Sequence, residues 1–384
     1  MALAPGDKAV RVKLSDGFGA YPCSPVLDVG NRAVRARVSG GLTAVKASLV
    51  NVVGGYRVPC RVSDTEMRAA VNLRWMSGWS KVPLSGLDGG WFGLKAPAVI
   101  GERIYYSRFT GRNRCFIEPA TKTWGYLSDM PGWYRHGIAT GVINGVIYAG
   151  LGEDGSTPDE DRGQWFANET DGDTWTPKAP LRPYGSYYRH YSTSVSINGL
   201  IYVGMGRDDR QYNTTVYDDW WAYDPDSDSW AYAGKFGGGP RYGAVGVVLG
   251  GRVFVGLGAS DVSWTSTTFH TDWWEWIPGG AWTQRADFPG KGRVFASAVA
   301  CGGYIYVGMG NGGYMSSSPL YDDWWRYDRL TNSWASKEDF IGGAVQAGAV
   351  AAIRNRVYYA TMGDSNNLSY LYRYDPAGVP WGIE

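Results

Sequence analysis

From about residue 79 onward the chain alternates short apolar runs with compact polar turns, and the same order of runs keeps returning. A stretch of small apolar residues, Gly243-Ala244-Val245-Gly246-Val247-Val248-Leu249, stops at Gly250-Gly251 and is followed by Val253-Phe254-Val255. The same pair of runs flanks Asn144-Gly145, Asn198-Gly199 and Gly302-Gly303. Asn-Gly and Gly-Gly accept the positive φ that both central residues of a two-residue hairpin turn require, so each pair predicts two antiparallel strands joined tightly. The second strand ends in Gly-x-Gly (Gly150/Gly152, Gly204/Gly206, Gly256/Gly258, Gly308/Gly310). An aromatic third strand follows, Asp219-Trp220-Trp221-Ala222-Tyr223-Asp224 in one copy, and a fourth carries a late tryptophan such as Trp230. No segment of useful length repeats its apolar positions at the helical period. The fold class is all-β.

The repeat is regular enough to name the architecture. The second strands begin at Ile104, Ile147, Ile201, Val253, Ile305 and Val357, in steps of 43, 54, 52, 52 and 52 residues. A parallel series of tryptophans, Trp124, Trp175, Trp230, Trp282, Trp334 and Trp381, closes each unit. Six four-stranded units with small residues on the first strand and Trp and Tyr further out predict a six-bladed β-propeller, since space is scarce at the axis and widens toward the rim. Trp79-Ser80-Lys81-Val82-Pro83-Leu84 is similar to the fourth-strand segment Trp175-Thr176-Pro177-Lys178-Ala179-Pro180-Leu181, and the sixth unit runs out three residues after Trp381. Residues 75–84 are therefore expected to complete the last blade and lock the ring. The alternative is a linker that matches a strand by chance.

These units resemble the Kelch family. The resemblance is carried by Arg-x-Gly before the first strand (Arg241-Tyr242-Gly243), the Gly-Gly hairpin, Ile-Tyr-Val-Gly on the second strand, and Tyr223-Asp224-Pro225 with Trp230 six residues after the aspartate. Bacterial Kelch proteins with blades reading Asp-Trp-Trp-x-Tyr-Asp-Pro and Ala-Asp-Phe-Pro-Gly are the most similar; Ala286-Asp287-Phe288-Pro289-Gly290 matches the latter. The likeness covers residues 79–384 and implies the propeller, but no single function, because such propellers serve many. One departure stands out: Gly-Leu-Gly or Gly-Met-Gly replaces the usual Gly-Gly after the second strand.

Residues 1–74 lack this period. Ala33-Val34-Arg35-Ala36-Arg37-Val38 and Arg57-Val58-Pro59-Cys60-Arg61-Val62 alternate with period two and are separated by Gly40-Gly41 and Gly54-Gly55, which predicts a small β-sandwich-like domain preceding the propeller of residues 75–384. Charge separates the two parts. The whole chain carries 37 Lys+Arg against 36 Asp+Glu, yet residues 1–78 hold 11 against 5 and residues 79–384 hold 26 against 31, a net of +6 against −5. The basic domain is expected to attach the propeller to a larger assembly, although an ordinary solvated face gives the same alternation.

Composition narrows the chemistry. The four cysteines, Cys23, Cys60, Cys115 and Cys301, form no Cys-x-x-Cys pair, which removes a structural zinc site, and pairing of Cys23 with Cys60 stays open. Asp224-x-Asp226-x-Asp228 mimics the start of a calcium loop but lacks its glycine and distal glutamate, so it reads as a turn. Nucleophilic triads, phosphate-binding glycine loops and nucleic-acid motifs are missing. Apolar runs never reach the length of about 18 residues that a membrane-crossing helix needs. The first residues, MALAPGDKAVRV, contain no apolar core of signal-peptide length, so no cleaved signal is expected. No cofactor, metal, nucleic acid or membrane insertion is expected.

Strand direction locates the binding face. Strands of a blade alternate in direction, so the turns joining strands one to two and three to four share one face, and here those turns are minimal. The loops joining strands two to three (152–164, 206–217, 258–271, 310–321 and 363–369) share the other face with the lead-ins to each first strand. Long loops on a rigid scaffold are where binding sits. Four successive lead-ins place Arg135, Arg189, Arg241 and Arg293 there, with His136 and His190 at the next position in two of them. A ring of guanidiniums can grip a carboxylate, sulfate or phosphate through paired hydrogen bonds; equally, each can tie blades together through Asp or Glu. Tyr212, Trp264 and Tyr314 lie in the long loops and do not recur, which makes them candidates for stacking on a sugar, whereas the recurrent tryptophans read as packing.

The functional expectation is a non-enzymatic recognition or adhesion protein. Its long-loop face would bind a glycan, a cell-surface receptor or a protein, and residues 1–74 would join a larger assembly. A phage tail or fibre component has this layout and reaches the cell exterior by lysis. An intracellular Kelch scaffold that binds a protein partner is the rival, located in the cytoplasm. The family resemblance also brings in enzymes. Copper-dependent galactose oxidases need ligands that cannot be matched here, and sialic acid epimerases would use the cationic mouth with His136 or His190 as a proton shuttle.

Overall fold

Each aromatic repeat becomes one four-stranded antiparallel sheet in the computed structural model, which describes residues 26–28, 33–35, 50–52, 55–61, 68–73, 78–82, 84, 97–106, 114–131, 135, 137–152, 163–169, 173–181, 189–208, 214–260, 267–313, 318–345, 348–361 and 370–376. Blade 1 comprises Ala98–Ile100, Arg103–Tyr106, Arg114–Glu118 and Thr123–Leu127. Blade 2 comprises Ala139–Ile143, Val146–Gly150, Trp165–Glu169 and Thr174–Lys178. Thr193–Ile197, Leu200–Gly204, Asp219–Asp224 and Ser229–Lys235 form blade 3. Val245–Leu249, Arg252–Gly256, Trp273–Trp276 and Thr283–Arg285 form blade 4. Blade 5 uses Ser297–Cys301, Tyr304–Gly308, Trp324–Asp328 and Ser333–Lys337. Blade 6 takes Ala349–Ile353, Arg356–Ala360 and Leu371–Asp375 from the end of the repeat array, and its outer strand is Gly78–Val82. The fold is a six-bladed β-propeller.

That outer strand closes the ring. Ser80 Oγ donates to the carbonyl of Arg373 at 3.4 Å across 293 positions of sequence. Trp79 is only 9% exposed and meets Trp324, Phe340, Tyr359 and Tyr374 at ring-centroid distances of 5.4, 4.9, 6.2 and 5.1 Å. It therefore fills the seam between blades 5 and 6 as the late tryptophans Trp230, Trp282 and Trp334 fill earlier seams, each packed against the first aromatic-strand tryptophan of the preceding blade.

The Asp-Trp-Trp strand start has a separate task for each residue. The first tryptophan (Trp220, Trp273, Trp324) is fully buried and lies across the last glycine of the neighbouring second strand. A Cβ at Gly204, Gly256 or Gly308 would sit 2.3, 2.4 or 2.6 Å from that indole, which is why the strand must end in glycine. The second tryptophan turns the other way and donates its indole N–H to the leading aspartate, at 2.7 Å for Trp221–Asp219, 2.6 Å for Trp274–Asp272 and 2.9 Å for Trp325–Asp323.

The late tryptophan clamps blades together at the rim. Trp230 Nε1 donates to the carbonyl of Ala179 at 2.8 Å, while Asp228 Oδ1 accepts from the N–H of the same Ala179 at 2.9 Å. Trp334 and Asn332 grip Ala286 in the same two-point way, and Trp175 and Asp173 grip Ser128. The Asp224–Asp228 segment is a turn whose carboxylates are engaged internally. Asp224 accepts from the N–H of Asp226 and the hydroxyl of Ser227, and Asp228 accepts from the hydroxyl of Tyr223.

The inner strands of blades 3, 4 and 5 alternate buried and half-buried residues over their first four positions, so Ser194 and Ser196, Gly246 and Val248, and Ala298 and Ala300 face the axis. An inner strand is a sheet edge with unpaired backbone groups. Blade 3 covers those of blade 2: Ser194 Oγ accepts from Thr140 N–H at 3.1 Å, and Ser196 Oγ from Val142 N–H at 3.0 Å.

N-terminal to the propeller, Val26–Asp28 pairs with Ala33–Arg35, and Val50–Val52, Gly55–Arg61 and Arg68–Leu73 form a three-stranded antiparallel sheet. The described residues of this segment are all in β-strands. Cys23 and His136, Tyr212, Trp264 and Tyr314 among the expected site residues lie outside the described residues, while Cys115 and Cys301 are buried.

Candidate functional site

The arginine ring is the first expectation that the structure corrects. Arg135, Arg189, Arg241 and Arg293 are at most 7% exposed, and each guanidinium is engaged inside its own blade. Arg189 grips Asp219 (2.7 and 2.9 Å) and Arg241 grips Asp272 (2.7 and 3.1 Å) through both terminal nitrogens, and Arg293 forks onto Asp323. Arg135 meets the neutral Gln164 at 3.1 Å in the same place. Each arginine thus joins the lead-in of its blade to the start of the third strand. Bidentate pairing of this kind uses up the fork that an anionic ligand would need. The tie is within a blade, and the seam between blades is made by backbone: Gly152, Gly206 and Gly258 donate to the carbonyls of Arg189, Arg241 and Arg293 of the next blade.

A second task of the arginines explains Gly-Leu-Gly and Gly-Met-Gly. Leu151, Met205, Leu257 and Met309 all adopt left-handed backbone (φ 60, 59, 61 and 55°), which is unfavourable for a bulky residue by about 1–2 kcal/mol. Their carbonyls accept from the same guanidiniums at 3.4, 3.0, 3.2 and 2.9 Å. Their side chains are completely buried or nearly so. Burial and the arginine bond together hold the strained conformation. Because it recurs in four blades, it belongs to the scaffold.

Asp219 and Asp272 record the pairing electrostatically. Burial by itself raises a carboxyl's pKa, but the hydrogen bond and charge of Arg189 or Arg241, with the indole N–H, outweigh it and hold both acids below the ordinary range.

The axial mouth itself is made two residues after each arginine. There Gly137, Tyr191, Gly243 and Phe295 have φ of 68, 53, 62 and 55°. A chain of backbone bonds runs around the axis: Tyr191 N–H donates to Gly137, Gly243 N–H to Tyr191, and Phe295 N–H to Gly243, at 3.1, 3.0 and 3.0 Å. Two of these left-handed positions carry aromatic residues where glycine would be unstrained. Their rings meet over Gly243 with centroids 4.9 Å apart. A Cβ on Gly243 would lie 3.1 Å from the Phe295 ring, so the bare backbone there leaves room for the pair.

Beneath and beside this pair lies a recess of roughly 90 Å³ at the top of the axis, bounded by the inner strands of blades 3, 4, 5 and 6. Its lining includes Ser192, Ser194, Val245, Phe295, Ala298 and Val350.

Alongside sits a charged residue outside the repeat. Arg207 starts a short ribbon, Arg207–Asp208 with Thr215–Val216, at the position held by Ala259 and Asn311 in the next two blades. Its guanidinium lies 5.1 Å from the Tyr191 ring centroid and 4.5 Å from that of Tyr242, and its Nε donates to His190 Nε2 at 3.1 Å. His190 is fully buried, so it is held as an acceptor next to Tyr191, with rings 4.6 Å apart. Arg207, Tyr191 and Phe295 were absent from the sequence-based candidates. The signal was present in the sequence as departures from the repeat, an arginine where neighbouring blades have Ala or Asn, and aromatics where they have glycine.

No family model matches the chain. A stretch of 97 residues is 35% identical to the N-acetylneuraminate epimerase of Yersinia enterocolitica serotype O:8 / biotype 1B (strain NCTC 13174 / 8081), and it spans 24% of this chain and 23% of that protein. This chain therefore matches less than a quarter of the length of that relative. Among solved structures, that of YjhT superposes with a TM-score of 0.62 at 14% identity, over 76% of this chain and 95% of that one, which is a likeness of fold. The protein is a six-bladed β-propeller with a distant relative in N-acetylneuraminate epimerase.

Proposed function

We propose that the protein recognises a saccharide at the axial mouth of its long-loop face. The observation that carries this reading is the Tyr191–Phe295 pair, two aromatic residues in backbone conformations that favour glycine, set above a hydroxyl-bearing recess. Strain kept at a concave surface is characteristic of binding sites, because the fold must offset it elsewhere. Aromatic faces take the C–H surface of a sugar, and nearby hydroxyls orient it. The relative named for N-acetylneuraminate supports the same ligand class.

A monosaccharide panel containing N-acetylneuraminate, N-acetylglucosamine, galactose and glucose, titrated against the full chain by NMR, tests the proposal. At least one sugar should bind, and Phe295→Ala should weaken it by about 2- to 12-fold, the equivalent of roughly 0.5–1.5 kcal/mol of ring contact. Failure of every sugar to bind, or binding indifferent to Phe295→Ala, overturns it. The match to an epimerase favours a second reading, catalysis at the same mouth. Exchange between the anomers of N-acetylneuraminate, followed by NMR, should then run faster with the protein than in buffer alone.

A further inference from the structure

We infer that the outer part of the seam between blades 5 and 6 binds a tetrahedral oxyanion, phosphate or sulfate, through Arg326, Lys337 and the indole N–H of Trp79. This site lies at the rim and is independent of the saccharide reading. The repeat supplies the comparison, because the same positions of blade 4 are neutralised from within the chain. There the residue after the two tryptophans is Glu275, which is buried. Its carboxylate accepts from Arg252 at the start of the second strand and, at 2.9 Å, from Arg285 on the fourth. Blade 5 places Tyr304, Arg326 and Lys337 at the three corresponding positions. The acid has become a base, while one of its two cationic partners has become an aromatic ring and the other has stayed cationic.

The consequence is a seam with donors and no acid to receive them. The Arg326 guanidinium rests 4.1 Å from the centroid of the Tyr304 ring, and its Nε is buried with no hydrogen-bond partner. Lys337 has the register of Arg285, which in blade 4 reaches the very position that Arg326 occupies here. Neither cation forms an ion pair among the described residues. Burial, and then the charge of Arg326, push the Lys337 ammonium below its ordinary range against the opposing pull of Glu338. Trp79 adds a third donor. The late tryptophans Trp175, Trp230 and Trp334 each give the indole N–H to a carbonyl of the preceding blade, whereas that of Trp79 is buried without a partner. Tyr374 touches both ends of the group: its ring meets that of Trp79 at 5.1 Å, and its hydroxyl lies within the field of Arg326. Unpaired buried donors are costly and neighbouring cations repel, so a single acceptor with several lone pairs relieves both. The donors come from the third and fourth strands of one blade and the outer strand of the next. A tetrahedral oxyanion offers oxygens in those several directions, where a carboxylate offers two in one plane.

The test follows the tryptophan side-chain N–H signals of the full-length protein by NMR while sodium chloride is exchanged for sodium phosphate or sodium sulfate at constant ionic strength and pH. One indole signal, identified as that of Trp79 by its loss in Trp79→Phe, should move and saturate with either oxyanion. Arg326→Glu restores the blade 4 pattern by setting a carboxylate beside Lys337, and Lys337→Gln removes the second charge at a half-buried position. Each should weaken binding by about 10-fold or more, the loss of one charge-assisted contact. The melting temperature of the wild type should rise with phosphate, and that of Arg326→Glu should not. A Trp79 signal that stays in place overturns the inference. Phosphate binding undiminished in Lys337→Gln also overturns it, because the anion then sits elsewhere, and this variant decides alone if Arg326→Glu fails to fold.

Discussion

Arg241→Met isolates the claim that the arginines of the mouth belong to the scaffold. Arg241 is completely buried, pairs with Asp272 through both terminal nitrogens, and donates to the carbonyls of Leu257 and Gly238. Methionine keeps the bulk of the stem but leaves Asp272 with the indole N–H of Trp274. Breaking a buried ion pair costs about 3–5 kcal/mol, and the 19% exposure of the Asp272 side chain places this one near the lower figure. At about 2–4 °C per kcal/mol, the variant should melt roughly 6–12 °C lower at pH 7. The deficit should depend on pH with a definite sign. The folded-state pKa of Asp272 is depressed, so its contribution is complete above the unfolded carboxyl value near 4 and disappears as pH falls through the folded value. The gap between wild type and variant should therefore narrow in acid. Adding Asp272→Asn should recover part of the loss, since no unpaired charge then remains. Thermal melts of the three proteins between pH 3 and 8 provide the measurement. A variant that melts within about 2 °C of wild type, yet binds saccharide more weakly, would refute the staple and return the guanidinium to the ligand.

Three further expectations concern other joints of the fold. Asp228→Ala removes the acceptor for Tyr223 and Ala179 and should cost roughly 1–3 kcal/mol in chemical denaturation, whereas Asp228→Asn should be close to neutral because Asn332 performs the same task in blade 5. Trp79→Ala should destabilise by about 3–5 kcal/mol and increase proteolysis in blade 6, given the four rings Trp79 touches. Gly243→Ala, at φ 62° and 3.1 Å from Phe295, should lower the melting temperature and weaken saccharide binding more than the stability loss alone explains.

The propeller was legible because its signals repeat. A hairpin glycine, a Gly-x-Gly and a late tryptophan every 52 residues or so leave few architectures, and each has a local physical reason, such as the indole laid across Gly204. Sequence also located the four arginines but could not assign their partners, because Asp219, Asp272 and Asp323 lie about 30 residues away and their pairing depends on how a blade folds back. The mouth was hidden for the opposite reason. Tyr191 and Phe295 occupy a left-handed position that only Gly137 and Gly243 advertise, and a search for what recurs passes over what replaces it. Arg207 escaped in the same way, as a single substitution in a loop that otherwise reads as polar filler.

The outer strand of blade 6 has a consequence for how the protein is made. Gly78–Val82 leaves the ribosome ahead of all the other strands of the propeller, and its partner Leu371–Asp375 follows some 293 residues later. At about 5–20 residues per second, that delay is roughly 15–60 s. Closing a flexible loop of that length would cost on the order of 5 kcal/mol in chain entropy. Vectorial folding reduces the search, because each finished blade turns the chain further round the axis and carries the last strands back toward the first. During that interval Trp79 has no seam to fill, and Trp324 and Phe340 of the nascent chain lack their cover. The incomplete ring therefore exposes tryptophan at both of its open ends. Those ends are complementary within one chain and equally complementary between two, so slow or crowded synthesis sets closure in competition with exchange of the first strand between copies.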